Sequence, residues 1–133
     1  MNRSLAGRLA ALVLAPVTAL GLAACGADRA ADGSDPIKVG ASLPLTGQFS
    51  QPGQAALRGH QTWEALTNER GGLLGRDVEL VIKDDASQQN IIVADYNSLI
   101  SRDKVDLLIG SYSSLLNLPA SAIAERNRML FVE

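Results

Sequence analysis

Four short aliphatic runs, at residues 37–43, 78–82, 105–109 and 129–132, recur along the chain with helix-periodic segments between them. This alternation limits the fold more than any other feature. Parallel strands need a crossover of a dozen or more residues, usually a helix, and each interval here is long enough to hold one. The first interval predicts a helix over residues 53–70, closed by Gly71 and Gly72. Ala56, Gly59, Trp63 and Leu66 fall on one face of it and are expected to be its buried side, with Gly59 allowing close approach to the sheet. The second interval predicts a helix over residues 89–102, with Ile92, Ala94, Tyr96, Leu99 and Ile100 as apolar surface. The third predicts a helix over residues 116–127. Pro44, the pair Asp84 and Asp85, and Gly110 end the first three strands. Strand, helix, strand, helix at this spacing implies right-handed crossovers. The fold class is therefore α/β, a doubly wound parallel sheet with helices on both faces. Aromatic residues are only 4% of the chain, so its core is aliphatic. Glu133 falls inside the fourth strand with no closing helix, and the reading is of a partial fold.

The first 36 residues have a different character. Arg3 and Arg8 precede an apolar stretch over residues 9–20, and no acid occurs before Asp28. A basic start, a short apolar run and small residues at a cleavage point make a secretory signal. At roughly a dozen residues the run is short of the ~20 that a spanning helix needs. Leu22, Ala23 and Ala24 lead into Cys25, the single cysteine, and Gly26 follows it; the segment resembles the bacterial lipobox. Residues 1–24 are therefore expected to be a lipoprotein signal peptide, and the Cys25 thiol to take a diacylglyceryl group. Residues 25–36, small, acidic and broken by Gly33, Ser34 and Pro36, read as a flexible tether. The remainder, residues 37–133, is about one small domain.

With two of the 12 basic residues before Cys25 and every acid after it, the processed chain keeps ten basic against 14 acidic residues, a formal charge of −4. That balance and the lack of a basic run argue against nucleic acid as a partner. One cysteine, taken by lipid, leaves no disulfide and no cysteine-based metal site.

In open parallel sheets ligands gather at the carboxyl ends of strands, near helix N-termini. Two loops qualify. Residues 44–53 follow the first strand, and residues 110–114, Gly-Ser-Tyr-Ser-Ser, follow the third. In the second loop, serine hydroxyls and backbone N–H groups face the start of a helix whose dipole favours an anion such as a carboxylate. Serine at that place equally caps a helix, and both readings stand at this point. The chain lacks the glycine spacing of a dinucleotide fingerprint and the lysine-serine/threonine ending of a phosphate loop. Asp84 and Asp85 are adjacent at a strand end and should point apart, ending the strand and solvating the loop. His60 is the single histidine, so no histidine metal cluster or serine triad can be built. On the first helix it is expected to be exposed or part of a helix face, and Trp63 is expected in the core. Neither an enzyme activity nor a cofactor is expected.

A resemblance to a known family is carried by several pieces in order. These are Ile37-Lys38-Val39-Gly40, then Pro44-Leu45-Thr46-Gly47, then Gly59, Asn68 and Gly71-Gly72-Leu73-Leu74-Gly75-Arg76. Asp84-Asp85, Gly110 and Pro119 complete the set. With the lipobox in front, the chain resembles the leucine/isoleucine/valine-binding proteins, substrate-binding partners of ATP-driven importers. The resemblance covers residues 37–133 and implies the N-terminal part of the first lobe of a type I periplasmic-binding-protein fold. It implies an amino acid or related small polar solute as ligand, importer permease subunits as partners, and a lipid-anchored place on the extracytoplasmic face of a bacterial cell membrane. An extracellular sensing domain of a receptor is the alternative with the same fold. Ser114 is similar to a family position that holds the ligand carboxylate through its hydroxyl and N–H. Ser113 beside it, and Phe49 and Pro52 in the first loop, fall in the contact regions. Pro52 stands where an aromatic is common, a departure that weighs against a branched-chain ligand. Ser87 and Ser113 take the places of a cysteine pair found in some members.

Overall fold

The computed structural model describes residues 35–133; the expected signal peptide, Cys25 and the expected tether up to Ser34 lie outside the described residues. Four strands, β1 (Ile37–Leu43), β2 (Val78–Asp84), β3 (Leu107–Ile109) and β4 (Phe131–Val132), alternate with three helices, α1 (Ser50–Glu69), α2 (Gln89–Ser98) and α3 (Ser114–Arg126). All pairings are parallel, in the order β2-β1-β3-β4. The α/β architecture expected from the alternation is thus the observed one.

Side chains alternate across the sheet and sort into two apolar clusters. On one face Leu108, with Val81 and Phe131 at its margin, packs against Ile92, Tyr96 and Leu99 of the second crossover and Leu116, Ala120 and Ile123 of α3. On the other face Ile37, Val39 and Val78 are buried, with Leu80, Leu107 and Ile109 at the margin. Ser42 points to the first of these faces and donates its hydroxyl to Asp95 of α2 at 2.6 Å.

Helix α1 corrects the expectation about its inner face. Trp63 and Leu66 are exposed, and nothing lies within 4 Å of where a Gly59 side chain would sit. The face turned inward is instead partly polar. Glu64 accepts the Leu80 N–H at 2.8 Å, and Asn68 both accepts the Val78 N–H (2.7 Å) and donates to its carbonyl (2.9 Å). The reason is the position of β2 at the sheet edge, where unpaired backbone groups need partners. A carboxylate and an amide at helical spacing supply them, so the helix turns these residues inward and Trp63 outward. Close approach is made at Gly53, where a Cβ would stand 2.1 Å from the Pro44 carbonyl oxygen.

Helix ends also differ from expectation by a few residues. Helix α1 begins at Ser50 because Pro52 sits in its first turn, where a missing N–H costs nothing. The second helix gives way at Leu99 to a π-helical turn (Leu99–Asp103), followed by Lys104 in the left-handed region at φ 55°. Ala94, expected on its apolar side, is exposed. Pro119 lies inside α3 and cannot donate to the Leu115 carbonyl four residues earlier. The Gln89 side chain donates to that carbonyl instead, at 2.9 Å, and ties α2 to α3.

Candidate functional site

The loops after β1, β2 and β3 meet at the carboxyl edge of the sheet, and the short turn after β2 holds the other two. Asp84, the last residue of β2, turns toward the loop after β1. Its carboxylate accepts the N–H of Leu45 (2.9 Å), the N–H of Thr46 (3.1 Å), the Thr46 hydroxyl (2.7 Å) and the Ala86 N–H (2.9 Å). Asp85 turns the opposite way and is fully buried. It accepts the Ser111 hydroxyl at 2.9 Å and the Ser87 N–H at 2.7 Å. Ser87 completes the turn by donating to the Thr46 carbonyl and accepting from the Phe49 N–H, each at 3.0 Å. The two aspartates do point apart, as adjacent strand residues must. But Asp84 extends the strand rather than stopping it, and Asp85 is no solvated loop residue.

Their titration follows from these surroundings. Partial desolvation pushes the Asp84 carboxyl up, but hydrogen bonds from Thr46, Ala86 and Leu45 outweigh it and hold the group below its ordinary value. Burial pushes Asp85 up against its bonds from Ser111 and Ser87, and the neighbouring charges of Asp84 and Asp95 add to the rise. The folded state therefore favours ionised Asp84, a contribution present above the ordinary carboxylate range and lost as pH falls through the depressed value.

The two serines at the start of α3 divide the roles left open above. Ser113 is the cap: its backbone is extended, its side chain accepts the Leu115 N–H at 3.3 Å, and its carbonyl takes the N–H groups of Leu116 and Asn117, each at 2.9 Å. Ser114 is the first helical residue and is exposed. Among the described residues neither its N–H nor its hydroxyl has a hydrogen-bond partner. A donor pair therefore stands free at the positive end of a 13-residue helix with no acid in its first turn. The loop before it is pinned at Ser111, whose N–H donates to the Asn117 side chain at 2.6 Å.

Of the residues expected in the first loop, Phe49 is half-buried at the N-cap of α1, and its ring lies 6.3 Å from that of Tyr112. Pro52 is half-buried in the first turn of that helix. Phe49 is thus brought to the third loop by its contact with Tyr112, whereas Pro52 serves the helix start. Sequence reasoning missed Tyr112 itself, which is 54% exposed. The signal available was an aromatic between serines at a strand end. One cavity of about 350 Å³ is lined by Ser114, Asn117, Leu118, Ser121 and Glu133. A second of about 320 Å³ shares Asn117 and Glu133 with the first and is otherwise lined by residues that include His60, Ile109, Tyr112 and Val132. His60 is half-buried there, and burial pushes its imidazole below the ordinary value, so it is neutral at pH 7. Among the described residues no group of three or more His, Cys, Asp and Glu side chains is placed to hold a metal ion.

Comparison with known proteins agrees with this fold. Residues 36–133 match the family described as periplasmic binding protein. A Leu/Ile/Val-binding protein homolog of Brucella abortus is 36% identical over 98 residues, covering 72% of this chain and 26% of that protein. The branched-chain amino acid transporter substrate-binding protein LivJ of Streptococcus pneumoniae, solved in complex with isoleucine, superposes with a TM-score of 0.70. It is 26% identical, over 73% of this chain and 28% of that one. A leucine-binding protein of Thermotoga maritima gives a TM-score of 0.64 at 30% identity, over 71% and 26% respectively. The chain therefore spans about a quarter of the length of the relatives it matches.

Proposed function

The chain belongs to the periplasmic binding protein family through residues 36–133, and from that premise we propose that it forms one lip of a cleft that captures an amino acid or a related small polar solute for an ABC importer. The free N–H and hydroxyl of Ser114 at the N-terminus of α3 carry this reading. They suit a ligand carboxylate, which the helix dipole also favours. Phe49 and Tyr112 beside them offer aromatic surface to the rest of the ligand. Relatives named for leucine, isoleucine and valine support an aliphatic amino acid. The aromatic surface that Pro52 does not supply can come from Tyr112. No covalent step is involved: capture consists of closing a facing lobe over the ligand about a hinge.

One lip leaves a ligand largely solvated, whereas small-molecule sites bury ~70–90% of a ligand's surface. Titration of the 133-residue chain with L-leucine, followed by amide chemical shifts, is expected to move Ser113 and Ser114 with a dissociation constant in the millimolar range. Leucinol, which lacks the carboxylate, should move neither. Micromolar affinity in this chain alone would contradict the two-lobed cleft, and equal shifts with leucinol would contradict a carboxylate site.

We place the protein on the extracytoplasmic face of the membrane, held there by lipid on Cys25. The basic leader, the short apolar run and the small residues before the single cysteine support this. A diacylglyceryl group supplies two acyl chains, enough for stable anchoring where one chain is marginal. Labelled fatty acid should enter the wild-type chain and not Cys25→Ala. Labelling of that variant would sink the lipoprotein reading.

A further inference from the structure

The paired aspartates at the end of β2 are not absorbed by the ligand reading. The Asp84 carboxylate accepts hydrogen bonds from its own turn and the loop after β1, and the Asp85 carboxylate from its own turn and the loop after β3. A strand end that needed nothing more than termination would place both carboxylates in water. Here one is fully buried on a serine hydroxyl, an expensive arrangement where an apolar or neutral side chain would pack at less cost. We propose that Asp84 and Asp85 are the positioning residues of the cleft, each fixing one of the two loops that meet the ligand. The proposal rests on the ligand reading above for the meaning of those loops.

The geometry gives each aspartate a distinct task. Asp84 binds two consecutive N–H groups and a hydroxyl of Leu45 and Thr46, which sets the exit of β1 just before the left-handed turn at Gly47 (φ 82°). That turn leads into Phe49, whose N–H is held by Ser87 from the same element. Asp85 reaches under the sheet edge to Ser111, three residues before Ser114. With the Asn117 side chain on the Ser111 N–H, the loop after β3 is fixed from both sides, and the direction of the free Ser114 donors is fixed with it. Because the two carboxylates belong to consecutive residues, the last of β2 and the one that follows it, the distance between the loops is set by a single strand end. A ligand then meets both loops already placed, which limits the ordering cost of binding.

Amide hydrogen exchange on the full chain tests this without any ligand. Asp84→Ala should speed exchange at Leu45 and Thr46 by about tenfold or more, the loss expected when charged hydrogen bonds go, and leave Ser111 to Ser113 unchanged. Asp85→Ala should do the reverse. Since removing a buried carboxylate can prevent folding, Thr46→Val and Ser111→Ala serve as gentler versions of the same two cuts. Asp85→Asn, which keeps one acceptor oxygen, should restore part of the protection lost in Asp85→Ala. Val39 and Ala41 in the middle of β1 should keep their protection in every variant. If each variant speeds both loops and β1 alike, or none speeds its own loop, the aspartates are ordinary structural residues and the proposal is overturned. The leucine titration is read separately: absence of shifts at Ser113 and Ser114 in the wild-type chain contradicts the ligand reading, whereas loss of loop selectivity in exchange contradicts the positioning role.

Discussion

Tyr96→Ala is expected to lower stability by about 3–5 kcal/mol, the usual cost of truncating a buried aromatic to alanine. Tyr96 is the largest of the fully buried side chains and sits where α2, α3 and the sheet meet. Its ring lies 6.0 Å from that of Phe131, and its hydroxyl donates to the Ile109 carbonyl, next to the loop after β3. Burial pushes the phenol well above its ordinary value, so it remains a donor at any physiological pH. Truncation removes the ring contacts and leaves that carbonyl without its donor. Small domains are stable by only ~5–15 kcal/mol, so a loss of this size takes a large fraction of the available margin. Tyr96→Phe separates the two contributions: it keeps the packing, removes one hydrogen bond, and should cost about 1 kcal/mol. Urea unfolding midpoints of the two variants check both values. Nearly equal losses would mean that the hydroxyl, not the ring, is what the core depends on.

The order of strands and helices was legible because local pattern and global fold agree wherever a strand is fully covered. Val39 and Ala41 lie in a central strand buried on both sides, so an aliphatic run marks it without ambiguity. The same logic failed on α1, where the helical spacing of Ala56, Gly59, Trp63 and Leu66 selected a face that is exposed at Trp63 and Leu66 and open at Gly59. The inner side of that helix is decided by the hydrogen-bonding demand of an edge strand, which Glu64 and Asn68 meet. No period in the sequence reports which strand will be at the edge. At the site, the serines after β3 were legible as helix-start chemistry, but not which of them caps. That depends on one backbone angle, the extended conformation of Ser113. The role of Asp85 was hidden for a similar reason: its partner Ser111 is 26 residues away, and only the parallel pairing of β1 with both β2 and β3 brings the two together. Cys25 and its leader were read from the sequence alone and lie outside the described residues.

Ser114→Ala is expected to weaken amino-acid binding roughly tenfold to a hundredfold in the chain carried with a facing lobe, because a hydrogen bond to a charged group contributes ~1.5–3 kcal/mol. The hydroxyl is free for this role because capping belongs to its neighbour, whose side chain already accepts the Leu115 N–H. Ser113→Ala should therefore show the opposite profile, losing about 1 kcal/mol of stability as caps do, with a smaller change in affinity. The contrast removes the ambiguity of a single variant, since a general loosening of the α3 start would move both quantities in both proteins. The direct measurement is the dissociation constant for L-leucine in Ser114→Ala, set beside its melting temperature. The account predicts a dissociation constant raised at least tenfold with a melting temperature close to wild type; an unchanged constant with a lowered melting temperature would make Ser114 a structural residue and contradict it.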